Sequence, residues 1–199
     1  MKKIGHLLAL LAVVLCLSAS AAWARPTVVI DAGHGGHDRG GVPGDRYAEK
    51  IYALDVSRRL EGRLRSMGYR TVMTRRGDYF VPLNDRCSIA NSQRNAIFVS
   101  VHFNSAPREG ANGVETYYYS RRSGSLAAAV HRQVVRAAGT EDRRVQSRGF
   151  YVLRNTRIPA ILVECGFLTN RSEGRRIAGS AAHRQRLADA IALGIRSRY

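Results

Sequence analysis

Apolar and polar positions along this chain follow two periods. Short apolar runs predict strands at Thr27–Asp31, Arg70–Thr74, Ala96–His102, Val114–Tyr119, Phe150–Leu153 and Ala160–Cys165. Between them, segments of helical period predict helices at Glu49–Met67, Leu83–Gln93, Ser125–Ala138 and Ala181–Arg198. In the first of these, Ile51, Leu54, Leu60, Leu64 and Met67 fall roughly on one face, and Gly68 stands where a C-cap belongs. Strands alternating with helices imply an α/β fold, a single domain with a mixed, mostly parallel sheet flanked by helices. No repeat, low-complexity tract or linker interrupts the pattern beyond residue 25.

The first 24 residues follow neither period. Lys2 and Lys3 precede the apolar run "LLALLAVVLCL", and small residues close the segment as "AWA" at Ala22–Ala24. This order predicts a secretory signal peptide over residues 1–24, cleavage after Ala24 and a mature domain of residues 25–199. The run is short for a membrane span, so no stable membrane anchor is expected. The location implied is outside the cytoplasm, in a periplasm or a cell wall.

Charge narrows the partners. The formal net charge is +17, and loss of Lys2 and Lys3 leaves +15, nearly all from arginine because Lys50 is the last lysine. A basic surface attracts polyanions. Export argues against intracellular nucleic acid, and no aromatic–basic nucleic-acid motif is visible, which leaves anionic wall polymers as partners. Two cysteines, Cys87 and Cys165, follow residue 24. Two thiols are not a disulfide framework, and both pairing and a buried free Cys165 fit the pattern.

Three strand ends carry unusual chemistry. In "TVVIDAGHGGHD" a buried strand runs into a loop holding His34 between glycines, which permit sharp turns and close approach. In "IFVSVHFNS" a strongly apolar strand ends at His102, and in "AILVECGF" another ends at Glu164. A carboxylate finishing an apolar strand needs a partner. Two His plus a carboxylate is a common zinc set. Glu49, which follows the loop and opens the first helix, stands where a third ligand would be needed. Taken alone, a hydrogen-bonded structural imidazole is the commoner explanation for a His, and a helix-terminal acid favoured by the macrodipole is the commoner one for Glu49. The coincidence at three ends of one sheet is what favours a metal site.

These stretches, with "AEKIYALDVSRRL", "GYRTVMTRRGD", "LNDRCSIAN", "GVETYYY" and "LADAIALGI" in the same order, resemble the zinc-dependent N-acetylmuramoyl-L-alanine amidases. The resemblance runs from about Thr27 to Tyr199. It implies one zinc ion held by His34, Glu49 and His102, with Glu164 as the catalytic acid–base. It further implies hydrolysis of the amide between N-acetylmuramic acid and the L-Ala of the peptidoglycan stem peptide. Ala32 stands where the family often has Pro. Two other readings stay open on the residues alone: a non-catalytic wall-binding module, and a zinc peptidase acting within the stem.

Other candidates are set aside. His37 reads as a loop residue, His131 and His183 as surface positions on helices, and "YYY" at Tyr117–Tyr119 as a strand with alternating burial. Arg75, Arg86 and Asn91 read as structural ion pairs and caps. Asn104 either contacts substrate or caps a turn, and Asp31 is expected to orient a ligand imidazole. Only "SRRSG" separates the fourth strand from its helix, and "GTEDRRVQSRG" reads as a short charged loop. Neither is long enough to cover the site, so no lid is expected. The chain is also expected to be a monomer.

Overall fold

The computed structural model describes residues 25–41, 46–108 and 110–199. The segment read as a signal peptide lies outside them. Six strands form one sheet: β1 (Thr27–Ala32), β2 (Thr71–Met73), β3 (Ala96–Asn104), β4 (Val114–Tyr118), β5 (Asp142–Ser147) and β6 (Ala160–Phe167). Their order is β2-β1-β3-β6-β4-β5. Every pairing is parallel except β4 with β6, so the expected mixed, mostly parallel sheet is found.

Alternation of side chains assigns each strand residue to a layer. Val28, Ile30, Ile97, Val99, Val101, Ile161 and Val163 face one side, where α1 (Glu49–Ser66), α3 (Gly124–Ala138) and α6 (Ala181–Arg196) cover them. Val29, Phe98 and Leu162 face the other, under the shorter α2 (Leu83–Asn91) and α4 (Tyr151–Arg154). Cys87 and Cys165 are free and buried in these two different layers. In α1 the buried stripe is Ala53, Val56, Leu60 and Leu64, while Ile51 is 54% exposed, so the apolar face is rotated from the one expected. Each fully buried leucine contributes about 1.5–3 kcal/mol. Gly68 has φ +82 and its N–H donates to the Arg65 carbonyl, closing α1 as the C-cap expectation requires.

The structure corrects two assignments. Phe150–Leu153 is no strand: Phe150 precedes one helical turn, and both Val152 and Leu153 bury against the thinner layer. A four-residue apolar run carries too little periodicity to tell the two apart. The charged stretch after α3 is no simple loop either, because Asp142–Ser147 pairs with β4 as the sheet's edge. Edge strands tolerate charge because one side faces water. A further helix, α5 (Arg171–Gly179), escaped prediction. Its N-cap is the Asn170 side chain, which accepts from Ser172 and Glu173 N–H groups.

Candidate metal centre and catalytic site

Register places the chemistry. Asp31 pairs with Ser100, and His102 pairs with Glu164, so the C-terminal ends of β1, β3 and β6 lie side by side. Asp31, His102 and Glu164 all fall on the side of the sheet that the short helices cover. Those helices leave the strand ends open, and two adjoining cavities of about 370 and 340 Å³ form there. His34 and His102 line both.

The loop after β1 is held from beneath. Gly35 and Asp38 exchange backbone hydrogen bonds of 3.0 and 3.2 Å. His34 takes the left-handed region at φ +58, followed by Gly35 and Gly36 at φ +132 and +59. Arg75, only 1% exposed, donates to the carbonyls of Ala32, Gly33 and Lys50 at 2.9, 2.7 and 2.8 Å. Arg86 donates to Ala32 at 2.7 Å and to the His34 carbonyl at 2.8 Å. These arginines are structural, as read, though Arg75 is held by carbonyls and not by an ion pair.

Glu49 joins the two imidazoles. It is 3% exposed at the start of α1. Its Oε2 lies 2.9 Å from His34 Nε2, and its Oε1 lies 2.8 Å from His102 Nδ1 while accepting the Phe103 N–H at 3.0 Å. One ligand atom from each of His34, Glu49 and His102 can be chosen so that all lie within 4.8 Å of one another. That donor set suits a divalent ion of zinc's kind. His34 Nδ1 meets Asp38 Oδ2 at 2.8 Å, which fixes the ring and leaves Nε2 toward Glu49. Burial alone would raise the Glu49 pKa, but the hydrogen bonds and charge of His102 and His34 bring it down to about 2. Burial would likewise depress His34, and Glu49 with Asp38 overcomes it and raises the pKa.

The glycines answer to this cluster. A Cβ on Gly33 would stand 2.4 Å from His102 Cε1, and one on Gly40 would stand 2.5 Å from Glu49 Oε2. Both distances are far inside van der Waals contact, so these positions admit only glycine without moving His102 or Glu49.

Glu164 lines the smaller cavity beside His34, Glu49 and His102. Its Oε2 is buried and has no hydrogen-bond partner among the described residues. Burial, then the charges of Glu49 and Glu115, push its pKa well above the carboxylate range. Glu115 lies opposite it across β4 and β6. Glu115 is fully served: it accepts from Asn104 at 2.6 Å, Tyr117 at 2.7 Å and Arg143 at 2.9 Å.

Asn104 lines the smaller cavity too; its Oδ1 accepts the Ser105 N–H at 2.8 Å and its amide donates to Glu115. Asp31 does not orient an imidazole. Its oxygens accept from Arg86 at 2.8 Å, Thr74 at 2.7 Å and Ser100 at 2.6 Å. His37 stays out of the cluster and packs on Phe80 at 4.3 Å between ring centroids. His131 and His183 are not surface residues but are 4% and 2% exposed, His131 bridging Thr116 and Asp142. Sequence reasoning missed Asp38, and also Phe150, which lines both cavities and packs edge-on against Tyr117 at 5.0 Å.

A family model described as N-acetylmuramoyl-L-alanine amidase matches residues 28–197. The chain belongs to the N-acetylmuramoyl-L-alanine amidase family. It is accordingly an amidase. An uncharacterised Bacillus subtilis protein, YqiI, is 38% identical over 100% of this chain and 99% of its own length. The N-acetylmuramoyl-L-alanine amidase LytC of the same organism is 34% identical over 87% of this chain, which spans 35% of LytC. Among solved structures, the catalytic domain of CwlV from Bacillus (Paenibacillus) polymyxa superposes with a TM-score of 0.82 at 34% identity, covering 87% of this chain and 97% of that one. AmiC2 of Nostoc punctiforme gives 0.80 at 38% identity, covering 87% and 97%. The amidase fold thus extends over nearly all of the described residues.

Proposed function

We propose that this chain hydrolyses the amide between N-acetylmuramic acid and the L-Ala of the stem peptide in peptidoglycan. In this reading His34, Glu49 and His102 hold one zinc ion, and Glu164 carries the proton. The observation that carries the reading is the meeting of the three ligand atoms within 4.8 Å in a cavity that Glu164 also lines. Zinc in such a site supplies a Lewis acid that polarises a carbonyl and acidifies water.

The protein's own groups divide the remaining work. Asp38 fixes the His34 tautomer, and Arg75 with Arg86 fixes the loop that bears it. Glu164 takes a proton from the attacking water and returns it to the leaving amine. Burial and the neighbouring Glu49 and Glu115 charges raise the Glu164 pKa, which makes its carboxylate a stronger proton acceptor than an exposed one. β4 passes to α3 through a single 3₁₀ turn, Arg121–Ser123, so no lid helix is built there. Turnover without an activator is part of the proposal.

We also infer export, with residues 1–24 as the signal peptide and 25–199 as the mature enzyme. The names of curated relatives, such as the probable cell wall amidase LytH of Staphylococcus epidermidis, support action at the wall. Among the described residues no helix is long and apolar enough to cross a membrane.

Mass spectrometry of peptidoglycan digested by the purified protein tests the reading. Whole stem peptides with a free L-Ala amine are the expected product. Stems shortened from within, leaving L-Ala on the glycan, would make it a peptidase. A chelator should abolish turnover and added zinc restore it.

A further inference from the structure

On the face that bears the site, α2 runs away from it. Leu83 in its first turn lines the larger cavity beside His34, whereas Asn84, Cys87, Ser88 and Asn91 line a separate cavity of about 630 Å³. α4 divides the same way: Tyr151 and Val152 face the first cavity, Leu153 and Arg154 the second. At a rise of about 1.5 Å per residue, Leu83 and Asn91 stand about 12 Å apart. The second cavity therefore begins beside the catalytic groove, and its far end, at Asn91, lies one short helix away.

This second cavity is basic. Arg122, Arg154 and Arg157 line it, and no Asp or Glu does. Among the described residues, no carboxylate pairs with any of the three guanidiniums. The loop that carries two of them is tied down: Asn91 Oδ1 accepts the Arg157 N–H at 2.7 Å, and Asn91 Nδ2 donates to the Asn155 carbonyl at 3.0 Å. Three like charges gathered on a concave surface without a counter-ion make a field that an anion relieves, and guanidinium matches a carboxylate in shape.

We propose that this cavity binds a distal carboxylate of the stem peptide, an inference that rests on the amidase reading above. An extended peptide advances about 3.3–3.6 Å per residue, so about 12 Å is three to four residues. A stem that leaves the catalytic groove beside Leu83 and follows α2 carries the carboxylate of its third or fourth residue to the far end of this cavity. The stem runs along α2, apolar contacts first and arginines last, so the cavity favours long acidic stems over short ones.

Soluble muropeptides test this. Three are needed: a two-residue stem, a four- or five-residue stem, and the long stem with its terminal carboxyl amidated. Exposed charge pairs weigh little one by one, so the triple variant R122Q/R154Q/R157Q should raise KM for the long stem about five- to tenfold. It should leave kcat, the two-residue substrate and the melting temperature unchanged. Amidating the substrate should cost the wild type the same factor, and the triple lysine variant should recover most of it. Equal changes for all stems, or none, would overturn the proposal. Calorimetry separates the anion's source. Free long stem peptide should bind the wild type more tightly than the glutamine variant, and arginine-dependent binding of poly(glycerol phosphate) with none of stem peptide would assign the cavity to a phosphodiester polymer instead. If wild type binds the stem peptide through these arginines yet cleaves no muropeptide, it is the amidase reading that fails.

Discussion

Asp31 and Glu164 stand in the two strands that flank β3, on the same face of the sheet, and each carboxyl holds at least one oxygen away from water. Their surroundings are opposite. Asp31 accepts from three side chains, and although burial opposes ionisation, Arg86, Ser100 and Thr74 lower its pKa. The Glu164 Oε2 finds no donor among the described residues, and the charges that act on it, Glu49 and Glu115, share its sign. A carboxylate whose donors are in place is committed to the fold. One left short of donors beside a cavity is free to exchange a proton. On the proposed reading, the contrast separates a structural acid from a reactive one within two strands of each other.

The largest effect is expected from Glu164→Gln. Turnover should fall by about 10²–10⁴-fold, the scale of general acid–base catalysis, with metal content and melting temperature nearly unchanged. Loss of metal, read by elemental analysis, would instead make Glu164 a ligand. Next, His34→Ala should lose the metal and activity together, whereas His37→Ala, which touches Phe80 and not Glu49, should keep both. Equal metal loss in the two would mean that the loop is misassigned. Asp31→Ala should act on the fold: leaving Arg86 buried without its partner costs about 3–5 kcal/mol in denaturant unfolding. An effect confined to activity would erase the distinction between the two acids.

The smallest effect extends the comparison to a base. His183 is 2% exposed and meets an Arg186 guanidinium nitrogen at 3.3 Å through Nδ1, a contact that suits the neutral ring. Burial first, then Arg176, Arg186 and Arg184, lower its pKa from 6.5 to about 4. The unfolded chain takes up this proton near pH 6.5 and the folded one only near 4. Its stabilising contribution is therefore full above pH 6.5 and declines as pH falls toward 4. Urea melts of His183→Gln should lose about 2 kcal/mol less than wild type between pH 7.5 and 5.

Much of this was legible in the sequence. The strands that carry the site are continuous apolar runs, so their ends stand out, and His34, His102 and Glu164 sit at or just beyond those ends. Glu49 was not legible from periodicity, because a helix-terminal acid looks the same whether or not it reaches a ligand. It entered through resemblance, and the structure shows it touching both imidazoles. What failed had a common cause. Phe150–Leu153 was too short for its period to be read, Asp142–Ser147 was too charged to look like a strand, and His131 and His183 were placed outside because polarity stood in for burial. In each case the deciding contact comes from a distant segment that no local pattern reports.

That dependence on distant segments has a kinetic consequence. His102 meets Glu49 across 53 positions of sequence, and Ser100 meets Asp31 across 69. Parallel neighbours this far apart close late and slowly, because loop entropy is lost before their contacts form. The His34–Glu49–His102 cluster requires β1 and β3 to have paired, so an ion bound there is expected to trap the fold once made and not to nucleate it. Any ion selective for the closed cluster should slow unfolding more than it speeds refolding. At 100 times its Kd it should add about 2.7 kcal/mol of apparent stability.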